Sequence, residues 1–328
     1  MSKKILIGII ILFCFKANSV SADLVKKKIK SNANKKIGEL TLKTSDIISN
    51  FAQNNFENLK HLDFNIQAQE YLKPTFNIMS VTEIMKIDSG TIFNQTSLNT
   101  HDDDETINIG IGFRELFYND KLLIGTNIFY DHQFNEGHKR KGVGAEAISS
   151  VFDIRGNYYN ALSGTKKTDD GSERALDGWD TQLDFHLPIT AHHELNIFAN
   201  FFKFENTATG SDYEEKGNKV GANGKLGNWV LEAGYLNDNQ ENDSYFGSIS
   251  YVVALGSNIK KDYYAMSEID KPITDVKIKN SYKTKNFKDK RKLLEYTSVR
   301  DKLYLPVKRE NKIRVVKISK AGVVASGF

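Results

Sequence analysis

Between about residues 62 and 255 the chain breaks into short segments in which apolar and polar side chains alternate, and this period of two constrains the fold more than any other feature. In Glu105–Glu115 (ETINIGIGFRE), Ile107, Ile109, Ile111 and Phe113 fall on one face, and Asn108, Gly110, Gly112 and Arg114 on the other. Successive side chains of a β-strand point to opposite sides, so such a segment is a strand with two unlike faces. Trp179, Thr181, Leu183, Phe185 and Leu187 repeat the pattern against Asp180, Gln182, Asp184 and His186. Twelve strands are expected: 64–70, 75–83, 89–98, 106–115, 121–131, 140–149, 151–160, 177–188, 193–204, 216–226, 228–237 and 244–255.

The apolar faces meet either a folded core or lipid, and the connections discriminate. Those after the even-numbered strands are short, about one to five residues. Those after odd-numbered strands include 99–105 (THDDDET), 132–139 (HQFNEGHK), 161–176 and 205–215, which are longer and polar. A soluble two-sheet sandwich has no reason to sort its loops by end. An outer-membrane barrel does, with tight periplasmic turns and long external loops. Aromatic residues near strand ends (Phe113, Tyr130, Trp179, Trp229, Tyr251) suit the two membrane interfaces. The four prolines, at 74, 188, 272 and 306, leave every strand centre free. Backbone groups in lipid have no water partners, so a spanning sheet must close on itself. The expectation is an all-β, antiparallel, 12-stranded transmembrane outer-membrane β-barrel. Its Gly and Asn positions face the lumen, where glycine leaves room for something to pass. A composition of 40% hydrophobic and 26% charged residues, with mean hydropathy −0.45, speaks against a bundle of membrane helices. It does not speak against a barrel with a polar lumen.

Residues 1–22 read as a signal peptide: Lys3 and Lys4, the apolar run Ile5–Phe15, then SVSA before Asp23. Lys16 interrupts that pattern, and retention as a membrane anchor is the alternative. The single cysteine, Cys14, lies inside this segment, so a processed chain has neither disulfide nor thiol nucleophile. Residues 23–61 read as a short periplasmic spacer, partly helical, with Ile47, Ile48, Phe51, Ala52 and Leu59 as its stripe. The barrel occupies 62–256. Residues 257–328 form a basic linker or tail with 19 Lys/Arg against 8 Asp/Glu, whereas 23–256 hold 23 against 33. The near-neutral total therefore conceals two opposed parts. Either the tail is a solvated basic segment, or it docks within or beside an acidic lumen, where attraction is less screened. Export leaves nucleic acid out as its partner.

The stretches 92–115 and 121–160, with FNQ, NIGIGFR, GTNIFYDH and GHKRKGVGAE, then GNYYNALSG and LDGWDTQLDFHLP, resemble the β-domain of intimin and invasin, the inverse autotransporters. The likeness is strong over about 90–190 and continuous but fainter over 45–90 and 190–255. VRDKLYLPVKRENKIRVVK resembles the family's segment just after the barrel. The resemblance implies a twelve-stranded barrel, N-terminus in the periplasm, whose chain turns back through the lumen to the cell surface. It also implies outer-membrane lipid, the barrel assembly machinery and periplasmic chaperones as partners. Two departures stand out. Residues 23–60 are too short for a peptidoglycan-binding domain, and the sequence stops at Phe328, about where an adhesive passenger would start. SISYVVAL, rather than Phe328, is read as the assembly signal.

No catalytic, cofactor or metal site is expected. His192, His193 and Glu194 fall in a tight turn without the helical spacing of a zinc protease. Asp102, Asp103, Asp104 and Glu105 lack the spacing of a calcium loop and read as a solvated outer loop. His132 and His138 flank a polar hairpin beside Asp131. The expected function is a translocator and anchor with little or no passenger. A passive porin-like channel and a surface-interaction protein acting through its loops and basic tail are the alternatives.

Overall fold

A computed structural model describes residues 58–70, 72–101, 104–168, 171–190, 193–207, 212–226, 228–240, 243–254, 296–319 and 322–324. The expected signal peptide and the helical part of the spacer lie outside these residues. All described residues belong to one compact unit.

Twelve antiparallel strands close into a barrel: β1 (Leu59–Gln69), β2 (Thr75–Ile87), β3 (Gly90–His101), β4 (Asp104–Phe117), β5 (Leu122–Gln133), β6 (Lys139–Ser149), β7 (Phe152–Ala161), β10 (Asp177–Thr190), β11 (His193–Glu205), β12 (Glu214–Leu226), β13 (Trp229–Asp238) and β14 (Ser244–Ala254). Each strand pairs with its neighbour in sequence, and β1 pairs with β14 from His61↔Ala254 to Gln69↔Phe246, which abolishes the edges. Between β7 and β10 lie two short strands, β8 (Lys166–Thr168) and β9 (Gly171–Ala175). Late in the chain come a 3-10 helix at Arg300–Tyr304, then β15 (Val315–Ser319) and β16 (Gly322–Val324). These four short strands form a second sheet in the order β16-β15-β9-β8.

The alternation sorts as the lipid reading requires. On β4, Ile109, Ile111 and Phe113 are exposed, while Asn108, Gly110, Gly112 and Arg114 are buried. Exposed aromatics gather toward both rims: Tyr130, Tyr158, Trp179 and Tyr245 toward one, and Phe113, Phe117, Phe152 and Phe185 toward the other. A closed sheet with an apolar exterior and a polar interior is the arrangement of a membrane barrel.

All twelve expected strands are present, and three expectations about their surroundings change. The acidic stretch 99–105 is not a long loop: β3 and β4 continue as a hairpin to His101↔Asp104, and only 102 and 103 connect them. β1 begins at Leu59 rather than at 64. The polar stretch 161–176 contains β8 and β9, and β9 finds its partner in β15, far along the chain. The remaining connections keep their sorting. Tight turns join β2–β3, β4–β5, β6–β7, β10–β11 and β12–β13, so the barrel has a tight-turn end and a long-loop end. Pro188 sits beside a register shift at the tight-turn end of β10, where a missing N–H is tolerated.

Candidate functional site

The candidate site is the lumen wall together with the segment 297–316, which lies along it from the tight-turn end to the long-loop end. The ladder uses up the wall's own backbone groups. The segment forms no ladder in the lumen, so its buried N–H and C=O groups need side-chain partners.

At the tight-turn end, the β4–β5 turn holds Tyr118, Asn119 and Asp120 in left-handed backbone, with φ of 53°, 56° and 66°. The Asp120 carbonyl accepts the Val299 N–H at 2.7 Å. Its carboxylate accepts two bonds from Arg300, at 2.8 and 3.0 Å, and this hydrogen bonding raises Arg300 above its ordinary pKa. The next tight turn offers Ser150 Oγ to the Thr297 N–H at 2.9 Å. The short helix sets Val299 and Leu303 on Leu116, Leu123 and Ile148, and Lys302 donates to the Ser149 carbonyl at 2.7 Å. The Tyr304 hydroxyl donates to Glu83.

At mid-depth the wall supplies the missing backbone partners. Arg114, fully buried on β4, donates to the Leu303 and Leu305 carbonyls at 2.9 and 2.5 Å. Its Nε donates to Glu146 at 2.6 Å, and its guanidinium lies over Phe93. Gln95 acts as a substitute strand neighbour for Val307, accepting its N–H at 2.7 Å and donating to its carbonyl at 3.3 Å. Val307 packs among Val81, Phe93 and Phe129.

Arg309 makes a two-point charge contact with Asp131. Two parallel bonds of 2.8 and 2.7 Å join the planar guanidinium to the carboxylate, and Phe129 and Tyr159 present their rings to it at 4.3 and 5.3 Å. Asp131 also accepts from Arg140 at 2.7 Å and Asn108 at 2.8 Å. Lys308 pairs with Asp184 at 2.7 Å.

Toward the long-loop end, the Glu310 carbonyl accepts from Arg140 at 2.6 Å, and the Asn311 carbonyl from Asn108 at 2.8 Å. The Tyr159 hydroxyl accepts the Glu310 N–H at 2.7 Å. Arg314 pairs with Glu215 and Glu310 and lies over the rings of Phe202 and Phe204. The Leu176 N–H donates to the Arg314 carbonyl at 2.9 Å, and the segment leaves the lumen as β15 on β9.

The wall is not uniformly acidic, because Arg114, Arg140 and Arg155 are buried in it beside Glu146, Asp131 and Asp184. Individual pairs, rather than a net field, hold the segment. Nor do the lumen glycines form an open bore. The space a Cβ would take at Gly110 and Gly112 holds the rings of Phe129 and Phe93, and at Gly142 the nearest atom belongs to Arg309, 3.1 Å away.

Among the described residues, those weighed as metal or catalytic candidates do not converge. Asp131 points into the lumen, whereas His132 on the next position meets Phe134 edge-on. His138 is buried with Nδ1 3.0 Å from Ser163 Oγ and Nε2 3.7 Å from Glu173. Burial, then Asp104 and Glu173, raises the neighbouring Glu136. Asp102, Asp103 and His192 lie outside the described residues. Asp104 and Glu105 pair in the β3–β4 ladder, and His193 and Glu194 in the β10–β11 ladder. Sequence reasoning missed Arg114, Asp131, Arg309 and Arg314 as the segment's anchors. The available signal was single charged residues on the Gly/Asn face of strands, opposite a basic tail.

Comparisons with known proteins agree with this geometry. The family described as inverse autotransporter, beta-domain matches residues 15–262. Over 100 residues the chain is 37% identical to the putative attaching and effacing protein homolog of Escherichia coli (strain K12), covering 30% of this chain and 34% of that protein. Over 104 residues it is 31% identical to the inverse autotransporter adhesin YeeJ of the same organism, covering 30% of this chain and 4% of that protein. Invasin from Yersinia enterocolitica is 31% identical over 103 residues, covering 30% of this chain and 12% of that protein. The match thus spans about a third of the first relative's length and far less of the other two. A solved chain from work on the in-meso crystallization of membrane proteins shares the fold, with TM-score 0.60 at 16% identity, covering 78% of this chain and 98% of that one.

Proposed function

This chain belongs to the inverse autotransporter β-domain family, and from that premise we propose that its barrel carries its own basic C-terminal segment outward through the lumen and holds it there. It is an outer-membrane β-barrel of the translocator and anchor type. In the proposed topology residues 1–22 are a signal peptide, 23–61 a periplasmic spacer, 62–256 the barrel and 257–328 the exported tail. The tight-turn end faces the periplasm and the long-loop end the exterior. The barrel assembly machinery and periplasmic chaperones bring it to the membrane. Adhesion belongs to the relatives named for it and is not assigned to this chain.

The observation that carries the proposal is the direction of the seated segment. β14 ends at the tight-turn end, since Ala254 pairs with His61, and Thr297–Arg300 bond to the tight turns at that same end. From there the segment ascends to join β9 at the other end. Chain that enters beside the turns and leaves beside the long loops has crossed the membrane. Two physical features make this possible: strand closure satisfies the backbone in lipid, and side-chain donors substitute for water along the segment.

An epitope tag placed after Phe328 tests the proposal. Labelling of intact cells is expected. Labelling only after permeabilisation would put the tail in the periplasm and overturn export.

A further inference from the structure

The outer wall carries two charges that neither export nor the seated segment uses. Along β6 the outward positions run Lys139, Lys141, Val143 and Ala145 from the long-loop end, all exposed, while Arg140 and Gly142 between them face the lumen. Register sets the two lysines at the aromatic rim. Tyr130 of β5 is the ladder partner of Lys141, and Tyr158 of β7 that of Val143, and the two tyrosines are 42% and 54% exposed. Aromatic girdles mark the interfaces of a membrane barrel. At about 3.3 Å per residue and a tilt of about 40°, Lys139 stands roughly 5 Å beyond Lys141 toward the long loops. From such positions the lysine stem lies along the wall and its ammonium group reaches the lipid headgroups.

The outward lysines at the same end of β11 and β12 are neutralised within the protein: Lys203 bridges Glu205 and Glu214 at 2.8 and 3.0 Å, and Lys216 pairs with Glu214 at 2.7 Å. Lys139 and Lys141 differ. Among the described residues no carboxylate stands within ion-pair distance of either. Their ladder neighbours His132, Tyr130 and Asn160 bring no negative charge. The carboxylate of Asp131 is turned to the lumen, where it pairs with Arg140 and Arg309. Two ammonium groups about 7 Å apart on one face repel each other, and an anion held between them offsets that repulsion. At the surface of a membrane, the anion within reach is the phosphate of a lipid headgroup.

We propose that Lys139 and Lys141 form a site on the outer flank of the barrel for the phosphate of a lipid headgroup. That the lipid belongs to the outer leaflet rests on the topology proposed above; the recognition itself does not. A phosphate bound there pins this flank at the headgroup plane, beside β4 and β5, whose inward faces carry Arg114 and Asp131.

The test is native mass spectrometry of the detergent-solubilised full chain with diphosphoryl lipid A, and with the same lipid stripped of its phosphates. The protein should retain the phosphorylated lipid in preference to the other. Lys139→Gln combined with Lys141→Gln should lower the retained fraction about fivefold or more, because each lysine near an anionic surface contributes separately. Lys203→Gln combined with Lys216→Gln should leave it unchanged. Excess inorganic phosphate should not displace the lipid, which separates a headgroup site from a site for the free ion. All four lysines lie on the barrel's outer face, so both double variants should run as folded barrels on an unheated gel. Equal retention of the two lipids overturns the proposal, as does undiminished retention in the Lys139 and Lys141 variant. A loss matched by the Lys203 and Lys216 variant also overturns it, since that would report net charge alone, and displacement by inorganic phosphate overturns the lipid as the source. The direction of the tail enters none of these readouts, so failure of this site and failure of export are distinguishable.

Discussion

The two sides of the lumen put similar residue types to different use. On β3–β7 and β10, polar side chains are committed to the seated segment: Gln95, Asn108, Arg114, Asp131, Arg140, Asn157 and Asp184 each bond to it. On β1, β2 and β11–β14 fewer of them reach it, chiefly Glu83 to Tyr304 and Glu215 to Arg314, and the amides bond across the ladder to one another, as in Asn65 to Ser250, Gln69 to Ser244 and Asn196 to Asn223. The first side is rich in buried arginine–carboxylate pairs, and the second in neutral amides. Amides can exchange partners with water at little cost, whereas a buried ion pair becomes unfavourable once one member leaves. One side is therefore specified for a single occupant, and the other is less committed to it.

The sharpest way to break this contrast is Asp131→Ala. Asp131 accepts from Arg309, Arg140 and Asn108, so its removal leaves two buried guanidinium groups without that carboxylate. Losing one partner of a buried pair costs roughly 3–5 kcal/mol. The barrel, held by twelve closed ladders, should still run as a folded species on an unheated gel, while 296–319 become accessible to protease in detergent. Unchanged protection would mean that the gripping side does not grip.

A smaller effect is expected from Asn65→Ala on the other side. Its amide donates to Ser250 at 2.8 Å across the β1–β14 seam, so the loss should be about 1 kcal/mol in urea unfolding. Protease protection of the tail should not change. If the tail were released as readily as by Asp131→Ala, the two sides would be equivalent and the contrast would fail.

How much of this was legible in the sequence follows the same division. The strands were, because a lipid-facing exterior forces apolar residues to every second position, and β4 and β10 show it most plainly. Their ends were less so. Beyond the lipid the ladder continues with nothing apolar to mark it, as at His101↔Asp104. β8 and β9 were invisible because LSGTKKTDDGSERALD is a polar loop by composition. Its strand character comes from pairing with Val315–Ser319, a contact with no local trace. The opposed charge of barrel and tail hinted that the tail has partners. It could not say that Arg309 meets Asp131, since any inward carboxylate would have served an argument from net charge.

The smallest effect is expected at the threshold of the gripping side. Three consecutive left-handed residues, Tyr118, Asn119 and Asp120, are an uncommon conformation for residues with a Cβ, and Tyr118 is the least suited of them. That shape aims both the carbonyl and the carboxylate of Asp120 at Val299 and Arg300. The Arg300 pair is nevertheless part-exposed, at 45% and 29%, where ion pairs contribute about 0.2–1 kcal/mol and weaken with salt. Arg300→Ala should therefore lower stability by less than about 1 kcal/mol, and by less still in 0.5 M salt, with the Val299–Asp120 backbone bond retained. A loss as large as that of Asp131→Ala would place the main hold on the tail at this turn, ahead of the buried pairs at mid-depth.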